Sequence, residues 1–275
     1  MLRLVEIELN SYCNRKCNWC PNNLIDRHSD VNIMDYDTIN SLIVDLKRMN
    51  YKGYISYSRY NEPFAFLYPT SNEKSPYLNM RWLKQELPNC TFISNTNGDY
   101  FTLKGCFSIV SKVIDELTIM NYDGLTKEKC INNLRYWTAN DDLEIIEVNK
   151  GLYAEFKNMK ILYANWGDFT ISDRGGVLPT YSLSESLVRP CYEPLYFIGI
   201  NYDGSVSPCC NIRNDIDHHK NYILGNIKQN SLQEMLKNDK MLDFQYFAHN
   251  RMNICGTCSN CGGRYTRKEG GILYE

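Results

Sequence analysis

Over residues 3–10 apolar and polar side chains alternate, with Val5, Ile7 and Leu9 set against Leu4, Glu6 and Glu8, which predicts a half-buried strand. The period changes after Asp35. Ile39, Leu42, Ile43, Leu46 and Met49 recur at helical spacing behind a residue suited to the N-cap, and Gly53 closes that helix. The same beat then repeats. Strands are expected at 54–57, 91–94, 116–120, 143–148 and 160–164, with helices at 78–87, 103–110 and 127–137 between them. Strands alternating with helices imply βαβ units and a mainly parallel sheet, and right-handed crossovers wrap such a chain into a partial barrel. The expected fold is therefore α/β, a partial (βα) TIM-like barrel with its site at the carboxyl ends of the strands.

Past about Pro179 the rhythm is different. Residues 196–201 and 205–208 flank Tyr202-Asp203-Gly204, a hairpin signature, and Ser231 with Glu234 forms a capping box at the start of a short helix. From Ile254 the chain is rich in Cys and Gly and has no periodicity. Residues 1–179 are thus expected to form the barrel, and 180–275 a smaller C-terminal domain built around its own cysteines.

Composition removes several functional classes. Thirty Lys and Arg against 32 Asp and Glu leave a net charge of −2, so no bulk basicity draws the chain to nucleic acid or an anionic membrane. No apolar run approaches the roughly 18 residues of a membrane span. Arg3, Glu6 and Glu8 interrupt what a signal peptide would keep apolar, and a cytoplasmic location is expected. Against that background 12 cysteines are anomalous, because thiols clustered in a reducing compartment more often bind metal than form disulfides. Cys13, Cys17 and Cys20 lie together near the start, and Cys191, Cys209, Cys210, Cys255, Cys258 and Cys261 lie in the last third. Cys90, Cys106 and Cys130 are scattered between them, in or beside apolar segments, and read as small core residues. Two sites are expected.

Cys13-Asn-Arg-Lys-Cys17-Asn-Trp-Cys20 sets three thiols in eight residues directly after the first strand. A structural zinc ion wants four closed ligands, and no His lies nearby until His28. Three thiolates on a [4Fe–4S] cubane leave one iron open for a further ligand. Tyr60-Asn61-Glu62-Pro63 follows the second strand and Asn95-Thr96-Asn97-Gly98-Asp99 the third. Either would pass for a turn alone; in register after consecutive strands they form a pattern.

The C-x3-C-x-aromatic-C loop with these two segments resembles the radical S-adenosylmethionine (SAM) superfamily. The resemblance implies that Cys13, Cys17 and Cys20 hold the cluster and that SAM chelates its open iron. One electron, from a flavodoxin or ferredoxin, then cleaves SAM to a 5′-deoxyadenosyl radical that abstracts a substrate hydrogen. It implies that Trp19 lies near the adenine, that Asn61, Glu62 and Pro63 stand where a Gly-Gly-Glu-Pro motif contacts the SAM amino group, and that Asn95 and Asn97 complete the cofactor site. The departure is at the two glycine positions, Tyr60 and Asn61, where Asn tolerates a positive φ.

Cys191, then Gly204-x4-Cys209, then Cys255-x2-Cys258-x2-Cys261, resembles the SPASM and twitch extensions of that superfamily. Arg264 and Lys268 stand where a full SPASM domain continues with cysteines, which favours the shorter twitch form with one auxiliary [4Fe–4S] cluster. The implied ligands are Cys191, Cys209, Cys255 and Cys258, with Cys210 and Cys261 as possible substitutes. Asn10-Ser11-x-Cys13-Asn14-Arg15-x-Cys17, Thr96-Asn97-Gly98-Asp99 and Ser172-Asp173-Arg174-Gly175-Gly176 further resemble the aminocyclitol dehydrogenases of this group, where the Arg of an Arg-Gly-Gly segment lies by the substrate. Arg174 is the implied substrate residue. The expected activity is oxidation of a small polar molecule, with the auxiliary cluster taking up the substrate electron.

Two rival readings stay open. The same radical chemistry could modify a peptide or nucleoside by crosslinking, epimerisation or isomerisation, although the first strand begins at Arg3 with no obvious preceding peptide-recognition domain. A non-catalytic protein with two zinc sites is the alternative from another class. His218-His219, in a polar loop after Asp215 and Asp217, reads as solvated.

Overall fold

A strand buried along its whole length needs neighbours on both edges, and Leu4–Ile7 (β1), LVEI, has them. In this computed structural model, which describes residues 2–68, 75–168, 173–178 and 191–250, β1 lies inside a single sheet. The other strands are Tyr54–Ser56 (β2), Thr91–Thr96 (β3), Glu116–Asn121 (β4), Ile145–Val148 (β5), Gly151–Phe156 (β6), Met159–Asn165 (β7), Phe197–Ile200 (β8), Ser205–Ser207 (β9) and Gly225–Asn226 (β10). Their order is β10-β9-β8-β1-β2-β3-β4-β7-β6-β5. Pairing from β8 through β1, β2, β3 and β4 to β7 is parallel throughout, and the two ends of the sheet are antiparallel.

The helices are Tyr36–Arg48 (α1), Pro76–Glu86 (α2), Phe107–Val110 (α3), Lys127–Thr138 (α4), Glu193–Tyr196 (α5), Leu232–Met235 (α6) and Asp239–Asn250 (α7). Asp35 caps α1 by accepting from the Thr38 N–H at 2.8 Å, and Ile39, Leu42, Ile43 and Leu46 turn inward. They pack in the main core with Val5 and Ile7 of the outward face of β1 and with Leu9 just beyond it, each fully buried side chain contributing about 1.5–3 kcal/mol. Cys90, Cys106 and Cys130 are buried in that same core.

The opposite, concave face becomes polar toward its mouth. Its floor is the apolar cluster of Leu4, Ile93 and Phe197. The next row across the sheet contains Glu6, Ser56 and Gly199, paired in register. Gly199 is a glycine because a Cβ there would lie 2.0 Å from Nη1 of Arg59, whose guanidinium fills that part of the barrel. Glu6 answers its charge at 3.7 Å.

Several elements depart from the sequence pattern, among them the helices α5 and α7, which were not expected. Residues 103–110 were expected to be helical, but only Phe107–Val110 is; Gly105, at φ +75°, interrupts the run. β6 was not anticipated. Its alternation of Leu152, Ala154 and Phe156 with Tyr153 and Glu155 is confined between tight reversals, the second marked by Lys157 at φ +56°. The hairpin expected around Tyr202-Asp203-Gly204 is present as β8 and β9, and the capping box of Ser231 and Glu234 opens α6. Because β8 pairs in parallel with β1, the strands β8, β9 and β10 continue the barrel's sheet.

Candidate functional site

The loop after β1 is fastened to the ends of the next three strands. The Glu62 N–H donates to the Tyr12 carbonyl at 2.7 Å, joining it to the segment after β2. Arg15 reaches further. Its guanidinium binds Asp99, beyond β3, at 2.6 and 2.7 Å, and Asp123, beyond β4, at 2.7 and 2.8 Å. Asn14 donates to Asp99 at 2.6 Å and accepts from Asn97 at 2.8 Å. Cys13, Cys17 and Cys20 ride on this loop as free, half-buried thiols.

Glu62 is the centre of the next layer. It is only 3% exposed, yet Thr96 Oγ1, the Asn97 N–H and the Phe64 N–H all donate to its carboxylate, at 2.6, 3.0 and 3.1 Å. Burial outweighs those bonds and pushes its pKa up to about 7. Burial also pushes Cys13 up to about 12, reinforced by the charges of Glu62, Cys20 and Cys17, and Cys17 up to about 11. Thiols so placed ionise when a cationic metal displaces the proton. Among the described residues no three His, Cys, Asp or Glu converge on a single ion. The three thiols lie on one loop, with Cys17 and Cys20 close enough for their charges to act on Cys13, and a set of three thiolates fits an iron–sulfur cubane with one open iron better than a closed four-ligand zinc site.

Aromatic groups wall this loop. Trp19 stacks on Trp166 at 4.6 Å and meets Tyr122 at 5.5 Å. Tyr122 lies under Arg15, with the guanidinium 5.6 Å from its ring centre, and within electrostatic range of Cys17, Cys20, Glu62 and Arg174. Beside it a cleft of about 90 Å³ is lined by Asn97, Asp99, Met120, Asp123 and Tyr163, among others.

At the second cysteine group Cys191 packs against Cys209, Ile212, Phe244 and Ala248, and its N–H donates to the Ala248 carbonyl at 3.0 Å. Cys209 Sγ accepts from the Asn211 N–H at 3.4 Å. Cys210 is half-buried between this cluster and the barrel floor. Cys255, Cys258 and Cys261 lie outside the described residues, as does Ser172.

A buried polar bridge connects the two groups. Arg213 donates to Asp215 at 2.6 and 2.7 Å and to Asn22 Oδ1 at 3.1 Å, two residues beyond Cys20. Its guanidinium lies 4.0 Å from the centre of the Tyr60 ring, and Tyr60 donates its hydroxyl proton to the Cys210 carbonyl at 2.9 Å. Asp215 also accepts from Arg27, which binds Glu8 at 3.0 Å. Arg174 faces this bridge, close enough to Tyr60 and Tyr122 for its charge to act on both phenols.

The structure thus brings Trp19, Glu62, Asn97 and Arg174 to one end of the barrel with the first three cysteines. Pro63 is buried beside Glu62. Asn95 is exposed within β3, beyond the end of its pairing with β2 and opposite Thr118 of β4, and lies two residues on from Ile93, on the same face of the sheet. Asn61 plays a different part from the expected bend. Its φ is not positive; its Oδ1 instead accepts from the Arg59 N–H at 3.1 Å and its Nδ2 donates to the Tyr57 carbonyl at 3.3 Å. His219 corrects a second expectation, since it is fully buried, not solvated. The sequence pattern gave Arg15 no role beyond its place in a shared motif and did not single out Tyr122, although Tyr122-Asp123 follows the fourth strand as the other motifs follow theirs.

Comparison with known proteins gives three findings. Residues 191–262 match SPASM, an iron-sulfur cluster-binding domain, and the match stops before Arg264 and Lys268. Over 267 residues the chain is 23% identical to the S-adenosyl-L-methionine-dependent 2-deoxy-scyllo-inosamine dehydrogenase of Niallia circulans, covering 94% of each chain. Its fold is shared with the crystal structure of BtrN in complex with AdoMet and 2-DOIA, at a TM-score of 0.71 and 20% identity over 98% of this chain and 96% of that one. The open conformation of BtrN gives 0.62 and 22%, over 95% and 92%. The partial barrel expected from the sequence is the fold found.

Proposed function

We propose that this chain is a radical SAM oxidoreductase with an auxiliary iron–sulfur site, acting on a small polar molecule. The observation that carries the reading is the interlock at the barrel mouth, where the Tyr12–Cys20 loop is bound by Glu62, Asn97, Asp99 and Asp123 from the ends of three successive strands. Loops at the carboxyl ends of parallel strands are where such a fold places its site, and tying them to one another holds a bound group in one geometry. In this reading Cys13, Cys17 and Cys20 hold a [4Fe–4S] cluster, and Trp19, Asn61, Glu62, Pro63, Asn95 and Asn97 surround SAM. When bound, that pair supplies a carbon-centred radical able to remove a substrate hydrogen.

The chain's own residues have separable tasks. Glu62, with three donors fixing its carboxylate, presents a preorganised acceptor for a cationic amino group. Arg15 holds the cysteine loop in one conformation against two carboxylates. Trp19, Tyr122 and Trp166 exclude water from its flank. Arg174 orients substrate by donating to an oxygen of it. Cys191, Cys209, Cys255 and Cys258 hold the auxiliary cluster in a domain that begins near residue 180, with Cys210 or Cys261 as substitutes, and a flavodoxin- or ferredoxin-type protein is the reductant. The relative's name, a dehydrogenase of an aminocyclitol, supports a polyol or aminopolyol substrate over a peptide.

Release of 5′-deoxyadenosine from anaerobically reconstituted, dithionite-reduced protein tests this reading. We expect release that requires SAM and the three N-terminal cysteines; no release from iron-loaded protein would contradict it.

A further inference from the structure

We propose that His219 is the positioning residue for Arg174, tying the substrate arginine to the bridge between the two cysteine groups. The proposal rests on Arg174 serving substrate, as above, and adds the group that holds it. Arg174 sits in a turn that a side chain enters at a cost: its φ is +54°, and Gly175 and Gly176 follow at +69° and +85°. Within the turn, Asp173 Oδ1 accepts from the Gly175 N–H at 3.1 Å, and the Asp173 carbonyl accepts from the Leu178 N–H at 2.8 Å. These bonds shape the turn without fixing it to the barrel.

His219 makes that connection. It lies in the 3₁₀ segment Asp217–Tyr222 and is wholly buried. Its Nδ1 accepts from the Arg213 N–H at 3.2 Å, which leaves the proton on Nε2, and Nε2 donates to the Gly175 carbonyl at 2.9 Å. The charged and titratable groups facing the ring are His218, at 4.4 Å between centroids, and Arg213 and Asp215. Burial keeps the imidazole neutral, lowering its pKa to about 4, so the acceptor at Nδ1 is retained. A single ring thereby joins the residue after Arg174 to the backbone of Arg213, whose side chain binds Asn22 and overlies Tyr60. Displacement of the turn would move Arg174 away from Tyr60 and Tyr122 without touching a cysteine.

Two amide substitutions separate the two ring nitrogens. Gln reaches the position of Nε2 and can donate to Gly175, whereas the shorter Asn reaches only the position of Nδ1. Hydrogen–deuterium exchange of reconstituted protein is followed on peptides covering 173–178 and 13–20. In His219→Asn we expect the Gly175 and Leu178 amides to exchange at least about tenfold faster, with His219→Gln within about threefold of the parent and the 13–20 peptide unchanged. Iron content and substrate-free release of 5′-deoxyadenosine should equal the parent in both variants. Parent-like exchange in His219→Asn, or equal acceleration in both variants, would overturn the tether. Exchange requires neither SAM cleavage nor substrate, so failure of the tether and failure of the radical SAM reading are seen separately.

Discussion

The two cysteine groups are built on opposite principles. Cys13, Cys17 and Cys20 occupy one loop, so their proximity is set by eight residues of local chain, and neighbouring strands need only hold that loop still. Cys191 and Cys209 are 18 residues apart and are brought together by the β8–β9 hairpin and by the packing of α7, whose Ala248 accepts from Cys191. The first site can therefore assemble on a barrel that is only locally intact. The second needs the tertiary fold before its cysteines meet, so loss of fold should be felt there first. What unites them is the bridge of Glu8, Arg27, Asp215, Arg213, Asn22 and Tyr60, which is mostly buried and charged.

Substitutions can break this contrast. The largest effect belongs to the first group: Cys17→Ala should reduce 5′-deoxyadenosine release to background, whereas Cys209→Ala should keep release and lose only product oxidation, as chromatography of the same anaerobic reactions would show. Next is the bridge. Arg27→Met leaves Glu8, whose side chain is 1% exposed, facing Asp215 with no cation between them, and should cost about 3–5 kcal/mol in urea denaturation. Hydrogen exchange in that variant should rise more around Cys209 than around Cys17.

A smaller effect is expected from His219. Its folded pKa of about 4 lies below the ordinary 6.5, so between those values the unfolded chain binds more protons than the folded one. Stability should therefore fall as pH drops from about 6.5 to about 4, by on the order of 2 kcal/mol, and His219→Gln should flatten that limb of a pH-dependent denaturation series. Asp123→Asn should have the smallest effect, below about 1 kcal/mol, because the Asp123 side chain is 60% exposed and Asp99 still holds Arg15.

The same contrast explains what could be read in the chain. The central strands, α1 and the first cysteine loop depend on short-range spacing and hydrophobic period, and all three were legible. Glu62 and Asn97 could be placed because each follows a strand in register. Arg15 could not be assigned a partner, since its two carboxylates lie 84 and 108 residues away. His219 was misread because a His-His pair among Asp and Lys looks solvated, whereas the ring is buried where it meets the Gly175 turn from 44 residues earlier. β6 escaped because its six residues fall between two tight turns, where alternation is too short to stand out.

The central claim is that the two cysteine groups hold two separate cubanes, one of them open to a cofactor. Iron and sulfide analysis of anaerobically reconstituted protein, run on the parent beside Cys13→Ala and Cys209→Ala, tests it most directly. The account predicts about eight irons in the parent and about four in each variant. Stoichiometric zinc with no iron in the parent, or iron lost from both groups whenever either cysteine is removed, would contradict it.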